Sequence, residues 1–214
     1  MTDSSDTPGE PATPDEAEKS APADRATEGP LDESEANPVR PYVDLGGVKI
    51  LPREGLHLRL EVEEESQRVV AVGLDYANST LQVQPFAAPR STGLWHEIRE
   101  QITDQVQRQG GRVSERQGVF GPEIVAEIPV AAPQGARGET RVARFVGVDG
   151  PRWFLRGVIA GDAAVKPEAA ALVEDLFRSI VVVRGATPMP PRDLIPLRMP
   201  AAPTGPADNG YTTL

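Results

Sequence analysis

Arginine and phenylalanine side chains that could bind an anion recur between residues 141 and 159. The dipeptide Asp149-Gly150 is typical of the two-residue turn of a β-hairpin, and the flanking residues alternate along each strand. Phe145 then faces Phe154 directly, since the turn sets the register of the two strands. One face of this hairpin carries the candidate binding residues Arg141, Phe145, Arg152, Phe154 and Arg156.

This set of side chains is suited to holding a phosphate or carboxylate group. A guanidinium group binds such anions through paired hydrogen bonds, and aromatic rings offer flat apolar area for stacking. A purely structural role is the alternative, in which the arginines pair with Glu123 and Glu127 or cover the phenylalanine rings. A slipped strand register would also redistribute the side chains between faces. The sequence leaves both interpretations open.

The hairpin belongs to a series of predicted strands with apolar residues at alternate positions. The strands are predicted at residues 56–62, 68–74, 80–86, 112–115, 123–130, 141–148, 152–159 and 180–183. The hairpin face opposite the candidate site is predicted to point into the core, and it carries Val142, Arg144, Val146, Val148, Trp153 and Leu155.

Two helices interrupt the strands. The first is predicted to begin after an N-cap at Ser91 or Thr92 and to end at Gly110-Gly111. The second is predicted to begin near Pro167, since proline is favoured in the first helical turn. Hairpins dominate this order of elements and no βαβαβ alternation occurs. The sequence therefore predicts an α+β fold, with an antiparallel sheet and two helices packed on one side of it.

Charge and proline content divide the chain into three parts. Residues 1–36 contain eleven acidic and two basic side chains, a net charge of −9, whereas the whole chain carries −10. We predict a disordered acidic tail over residues 1–40, because this segment has too little apolar surface to offset its conformational entropy. A single domain is predicted over residues 41–184. The proline-rich segment 185–214 is predicted to be partly docked on the domain or disordered.

Catalytic and cofactor motifs are absent from the sequence. The chain has no cysteine and two histidines, His57 and His96, which lie on different predicted elements. Neither G-x-S-x-G nor a phosphate-binding glycine loop occurs. We therefore assign no catalytic residue, no metal ligand and no cofactor. The sequence shows no secretory signal and no apolar run long enough to span a membrane, so a cytoplasmic location is expected.

These observations favour a non-catalytic binding or interaction module that uses the arginine and phenylalanine face. The expected partner is another protein or a small anionic ligand, and the chain's own acidic tail could lie over the same face and compete with it. A nucleic-acid-associated protein is the alternative, although a near-neutral domain with an acidic tail is a poor electrostatic match for DNA. An enzyme whose site follows no motif is a third alternative.

Several sequence strings resemble a known family. They are PFAAPRSTGLW at residues 85–95, ARFVGVDGPRWFLRG at residues 143–157, Val181–Arg184 and MPPRD at residues 189–193. With them, residues 40–195 resemble the actinobacterial domain-of-unknown-function family 3710. This resemblance implies a cytoplasmic bacterial protein and implies no activity. The order of strands and helices is also similar to that of PsbP-like sandwiches, which implies a binding module.

Overall fold

The fold is described from a computed structural model, which covers residues 18–130 and 140–200. Within these ranges the strands are Leu31–Asp32 (β1), Val43–Asp44 (β2), Val48–Ile50 (β3), His57–Val62 (β4), Val69–Tyr76 (β5), Ser79–Ala87 (β6), Arg112–Gly118 (β7), Gly121–Pro129 (β8), Thr140–Asp149 (β9), Trp153–Gly161 (β10) and Val181–Val182 (β11). The helices are Arg25–Glu28 (α1), Trp95–Arg108 (α2), Asp162–Val165 (α3) and Pro167–Arg178 (α4).

Seven of these strands form one antiparallel sheet in the order β4-β5-β6-β10-β9-β8-β7. Alternation of apolar residues determines which side of each strand is buried. In β6, for example, Leu81 and Val83 are fully buried, whereas Gln82 and Gln84 lie on the other face. The predicted α+β class with an antiparallel sheet is confirmed.

A second, smaller sheet has the order β1-β11-β3-β2. Its strand β1 runs parallel to β11, and the remaining pairs are antiparallel. Val48, Ile50 and Val182 of this sheet are at most 1% exposed and pack into the same core as Val146 and Leu155 of the large sheet. The main core therefore lies between the two sheets.

The two longer helices lie on opposite faces of the large sheet. Helix α4 buries Phe177 in the main core, next to Val146 of β9. Helix α2 buries Trp95 on the other face, where a Cβ atom on Gly147 would lie only 2.4 Å from the Trp95 ring. Since Val146 and Gly147 are consecutive on one strand, their side chains point to opposite faces. The structure thus differs from the predicted arrangement with both helices on one side.

The N-terminus of α2 is capped by a carboxylate that is distant in sequence. The Leu94 N–H donates to Oδ1 of Asp149 at 2.9 Å, and the Trp95 N–H donates to Oδ2 at 3.4 Å. The predicted capping role of Ser91 or Thr92 is wrong, because the helix begins later and its N-cap residue makes no side-chain hydrogen bond. Tertiary packing supplies the acceptor that the local sequence does not.

Residues 18–40 form part of the folded domain, so the predicted boundary at residue 41 is wrong. The Ser20 N–H donates to Asp149 Oδ2 at 3.0 Å, and the Asp149 N–H donates to the Ser20 carbonyl at 2.8 Å. Arg25 pairs with Glu35 at 2.6 Å, and β1 extends the small sheet. Pairing of charged residues within the segment offsets the shortage of apolar surface. The predicted disorder of residues 1–17 lies outside the described residues.

The proline-rich segment docks on the domain over its first half, as the sequence allowed. Ile195 and Leu197 are 3% and 8% exposed. The Ile195 N–H donates to the Pro85 carbonyl, and the Gly47 N–H donates to the Pro196 carbonyl, both at 2.9 Å. The segment therefore joins the end of β6 to the loop before β3. Residues 201–214, which the same prediction includes, lie outside the described residues.

Candidate functional site

The hairpin formed by β9 and β10 has a longer loop than predicted. Asp149 pairs with Phe154 across the strands, and the Gly150 N–H donates to the Trp153 carbonyl at 2.8 Å. The two-residue Asp149-Gly150 turn is therefore wrong, because Asp149 is the last residue of β9 and its carboxylate caps α2. The direct partner of Phe145 becomes Val158 instead of Phe154, a shift of four residues. An even shift keeps each side chain on its predicted face.

The predicted face is partly covered by α2, and this removes Phe154 from the surface. Phe154 is fully buried, and its ring centroid lies 5.7 Å from that of Trp95 and 6.2 Å from that of Phe86. Phe145 is half-buried and packs against the same cluster. The expectation of two adjacent exposed phenylalanines is thus wrong.

The three predicted arginines lie in three different places. Arg141 is exposed on β9 next to its start, opposite Ile128 of β8. Arg152 belongs to the hairpin loop and donates to the Gly185 carbonyl at 3.2 Å. Arg156 stays on the outer face of the large sheet, where it is half-buried. Of the five predicted residues, the structure therefore brings Phe145, Phe154 and Arg156 together on one side of the sheet, and it places Arg141 and Arg152 elsewhere.

The predicted alternative pairing of these arginines with Glu123 is also wrong. Glu123 is 1% exposed and accepts hydrogen bonds from Arg144, with Nη2 at 2.8 Å, and from Arg116. Arg144 was predicted on the inward face and is indeed buried, with 2% of its surface exposed. It also pairs with Glu174 of α4 at 2.5 Å. This cluster joins the sheet to α4 and leaves Glu123 engaged elsewhere.

The outer part of the large sheet that carries Arg156 has a set of polar side chains contributed by neighbouring strands. We call it the Arg156 face, and it consists of Glu61, Gln82, Gln84, Phe86 and Arg156. Arg156 Nη2 donates to Oε1 of Gln84, and its guanidinium carbon lies 5.8 Å from the centroid of the Phe86 ring. Gln84 is fixed in turn, because its amide nitrogen donates to the Val70 carbonyl at 2.9 Å.

Arg156 has no carboxylate partner among the residues that the structure describes. Its Nε atom is buried and lacks a hydrogen-bond partner in the same part of the chain. Burial lowers the pKa of this guanidinium, and no neighbouring acid opposes the effect. The group stays protonated all the same, since arginine does not lose its proton in proteins. A half-buried cation without a counter-charge is costly, and an incoming anion would lower that cost.

The other polar side chains named on this side of the sheet already make hydrogen bonds. Arg59 donates to Asp75 at 2.6 Å from Nε, and the Thr80 hydroxyl donates to the same carboxylate at 2.8 Å. Gln82 donates to Glu61. Arg156 is therefore the group on this face that offers unused donors to a ligand.

Sequence reasoning missed Gln84 and Phe86 as neighbours of Arg156. Strand β6 pairs with its sequence neighbour β5 on one side, and the local sequence does not indicate which strand lies on its other side. In the structure β6 pairs with β10, which places Gln84 directly opposite Arg156 and Phe86 opposite Phe154. No local sequence signal reports a pairing between strands that are more than sixty residues apart.

In residues 18–130 and 140–200, no cluster of three or more histidine, cysteine, aspartate or glutamate side chains could hold a metal ion. None of the helices described is both long enough and apolar enough to span a membrane.

Comparison with known proteins gives a family for the chain. A family model described as "Protein of unknown function (DUF3710)" matches residues 29–205. The chain belongs to this family. No curated protein matches the chain in sequence. Among solved structures, the chain is similar to the solution structure of cyanobacterial PsbP (CyanoP) from Synechocystis sp. PCC 6803. The matched region covers 64% of this chain and 87% of the CyanoP chain. The sequence identity is 13% and the TM-score is 0.37.

Three of the strings that resembled DUF3710 meet at one place in the fold. The Ala88 N–H donates to the Arg152 carbonyl at 3.0 Å, and the Arg192 N–H donates to the Ala87 carbonyl at 2.8 Å. Residues 85–90 thus lie between the start of β10 and the segment that contains MPPRD. In this DUF3710 member the strings build one end of the large sheet, next to the Arg156 face.

Proposed function

We propose that this chain is a non-catalytic binding module of the cytoplasm, and that its Arg156 face holds the anionic group of a small ligand or of a protein partner. One observation carries the proposal: Arg156 is a half-buried guanidinium without a carboxylate partner among the described residues. A phosphate or carboxylate group would provide the missing counter-charge.

The neighbours of Arg156 support this function. Gln84 holds one end of the guanidinium, and the Phe86 ring lies beneath it, so the side chain is ordered before a ligand arrives. Pre-ordering reduces the entropy lost on binding. Glu61 lies on β4, which β5 and β6 separate from the strand of Arg156, and this distance limits its repulsion of an incoming anion. These contacts favour binding over catalysis, because they present one fixed cation and no general base next to it.

The Arg156→Gln variant is expected to bind phosphate at least about tenfold more weakly than the wild type, because a hydrogen bond to a charged group contributes roughly 1.5–3 kcal/mol. The measurement is a titration of the full chain with sodium phosphate and with sodium acetate, followed by ¹⁵N–¹H NMR. Backbone shifts centred on Gln84, Phe86 and Arg156 are expected in the wild type.

Arg108→Gln serves as the matched control. Arg108 is exposed in the last turn of α2 and donates only to the Asp104 carbonyl. Its loss should leave the affinity nearly unchanged. If both variants weaken binding equally, or if the shifts avoid the Arg156 face, the proposed role of Arg156 is refuted.

The acidic N-terminal tail is proposed to compete for this face. Residues 1–17 carry five acidic and no basic side chains, and the first described residue, Glu18, lies against Gly93 at the start of α2. Asp149, which binds Ser20, is two residues from Gly147, the direct partner of Arg156. A tail tethered this close would reach a high effective concentration at the guanidinium.

Deletion of residues 1–17 is therefore expected to strengthen phosphate binding and to change its dependence on salt, because an internal anion no longer competes. Deletion of residues 1–36 is unsuitable, since residues 18–36 contribute β1 and the Arg25–Glu35 pair. A tail of equal length with amides in place of its carboxylates is the control and should behave like the deletion. Equal affinity and equal salt dependence in all three proteins would contradict competition by the tail.

A further inference from the structure

A cleft of about 380 Å³ lies beside the hairpin loop at the end of the large sheet. Three chain segments line it: the residues after β1, the hairpin loop and the residues after β11. The lining residues are Asp32, Glu33, Ser34, Arg152, Arg184, Gly185 and Ala186. We call it the Arg152–Arg184 cleft. Its volume lies within the range of small-molecule sites.

Two guanidinium groups line this cleft. Arg152 donates to the Gly185 carbonyl at 3.2 Å, and Arg184 donates to the Thr187 carbonyl at 2.9 Å. Neither has a carboxylate partner in the described parts of the chain, and the Nε atom of Arg184 is buried there without a hydrogen-bond partner. Each arginine is thus anchored through one nitrogen and keeps further donors for a ligand.

Two carboxylates, those of Asp32 and Glu33, line the same cleft. Burial of Asp32 is outweighed by hydrogen bonds from Ser34 and Trp153, and these lower the pKa of its carboxyl group so that it stays ionised. Glu33 pairs with Lys49 through Oε1 at 2.7 Å, while its side chain remains 48% exposed. A ligand that presents hydroxyl groups to these carboxylates would find acceptors for them.

We propose that the Arg152–Arg184 cleft binds a phosphomonoester of a small hydroxylated molecule. The phosphate group would contact the two guanidinium groups, which match its geometry. The hydroxyl groups would donate to the carboxylates of Asp32 and Glu33. This site is separate from the Arg156 face, because no residue belongs to both.

Titration of the full chain with glucose 6-phosphate, inorganic phosphate and glucose tests the proposal, with NMR shifts at Ser34, Arg152 and Gly185 as the readout. Glucose 6-phosphate should bind most tightly, inorganic phosphate more weakly, and glucose least. Arg184→Gln and Arg152→Gln should each weaken glucose 6-phosphate binding at least about tenfold. Arg156→Gln should leave it unchanged, which separates this site from the proposed function.

Two further variants make the test specific. Glu33→Gln should weaken binding of glucose 6-phosphate but not of inorganic phosphate, since only the sugar ester has hydroxyl groups that donate to the carboxylates of Asp32 and Glu33. Arg112→Gln, an exposed arginine of β7, is the control and should change neither affinity. Should Arg184→Gln fail to fold, Arg152→Gln still decides, because its side chain makes one hydrogen bond, to a loop carbonyl. Absence of shifts in the cleft, or equal binding of glucose and its phosphate, overturns the proposal.

Discussion

Glu123→Ala is expected to lower the free energy of unfolding by about 3–5 kcal/mol, the largest effect of any single polar substitution proposed for this chain. The variant removes the fully buried partner of Arg144 and leaves the more exposed Glu174 as the remaining counter-charge of this cation. Arg144 and Glu123 are each only 2% exposed in their side chains, so water cannot replace the lost carboxylate. Urea denaturation, followed by the fluorescence of Trp95 and Trp153, measures the change.

The same carboxylate provides a matched control. Arg116 also donates to Glu123, but its side chain is 53% exposed. Arg116→Gln should therefore cost no more than about 1 kcal/mol, as for exposed ion pairs generally. Replacing both buried partners, with Glu123→Leu and Arg144→Met together, should restore part of the stability, because the charge that then lacks a partner is Glu174, which is more exposed than Glu123 or Arg144. A small loss in Glu123→Ala alone would show that Glu174 suffices as the counter-charge.

Asp149→Ala is expected to lower the free energy of unfolding by about 3 kcal/mol, since buried N–H groups without acceptors are costly. Three backbone N–H groups, those of Ser20, Leu94 and Trp95, donate to this carboxylate. The variant should also release the N-terminal segment, so the Ser20 and Lys19 amides should exchange with solvent faster than in the wild type. Hydrogen exchange at these amides separates this local effect from global unfolding.

The pH dependence of Asp149 has a definite sign. Burial raises the pKa of its carboxyl group, and the three backbone hydrogen bonds only partly oppose this. The folded state therefore binds the proton more tightly than the unfolded state. The stability from this group is present at low pH and is lost as the pH rises through the folded pKa. The wild type should gain stability relative to Asp149→Asn as the pH falls from 7 toward the pKa of an ordinary aspartate. The quantity to follow is the free energy of unfolding of the wild type minus that of Asp149→Asn. If this quantity stays constant or decreases as the pH falls, the raised pKa of Asp149 is contradicted.

The elements of the domain could be predicted from local patterns because those patterns report burial directly. Leu81 and Val83 alternate with glutamines and occupy the core side of β6, and Ile102 and Val106 recur at helical spacing and are buried in α2. Each of these signals lies within one element. No long-range contact is needed to interpret them.

The predictions that proved wrong concern residues that contact a partner distant in sequence. Asp149 was predicted to form a tight turn because aspartate before glycine favours one, yet its carboxylate is held by Leu94, more than fifty residues away. The same interaction replaces the expected caps at Ser91 and Thr92. Once Asp149 belongs to β9, the loop lengthens and the strand register moves.

The candidate site was predictable only in part, for a related reason. The outward direction of Arg156 follows from strand alternation, which a shift of four residues preserves. The burial of Phe154 does not follow, because it depends on α2 crossing that end of the sheet. Similarly, the acidic composition of residues 18–40 does not indicate which charged side chains pair within the segment. The pair of Arg25 with Glu35 is one example.

The docked segment at residues 192–198 has a consequence for the order in which this chain can fold. Leu197 forms a bridge to Gly46, and the Arg198 N–H donates to the Leu45 carbonyl. During synthesis on the ribosome, the loop before β3 must wait for its partner until almost the whole domain has been made. Contacts between residues so far apart in sequence slow folding. Until residues 197 and 198 have been synthesised, the part of the core next to the loop before β3 therefore stays open to water.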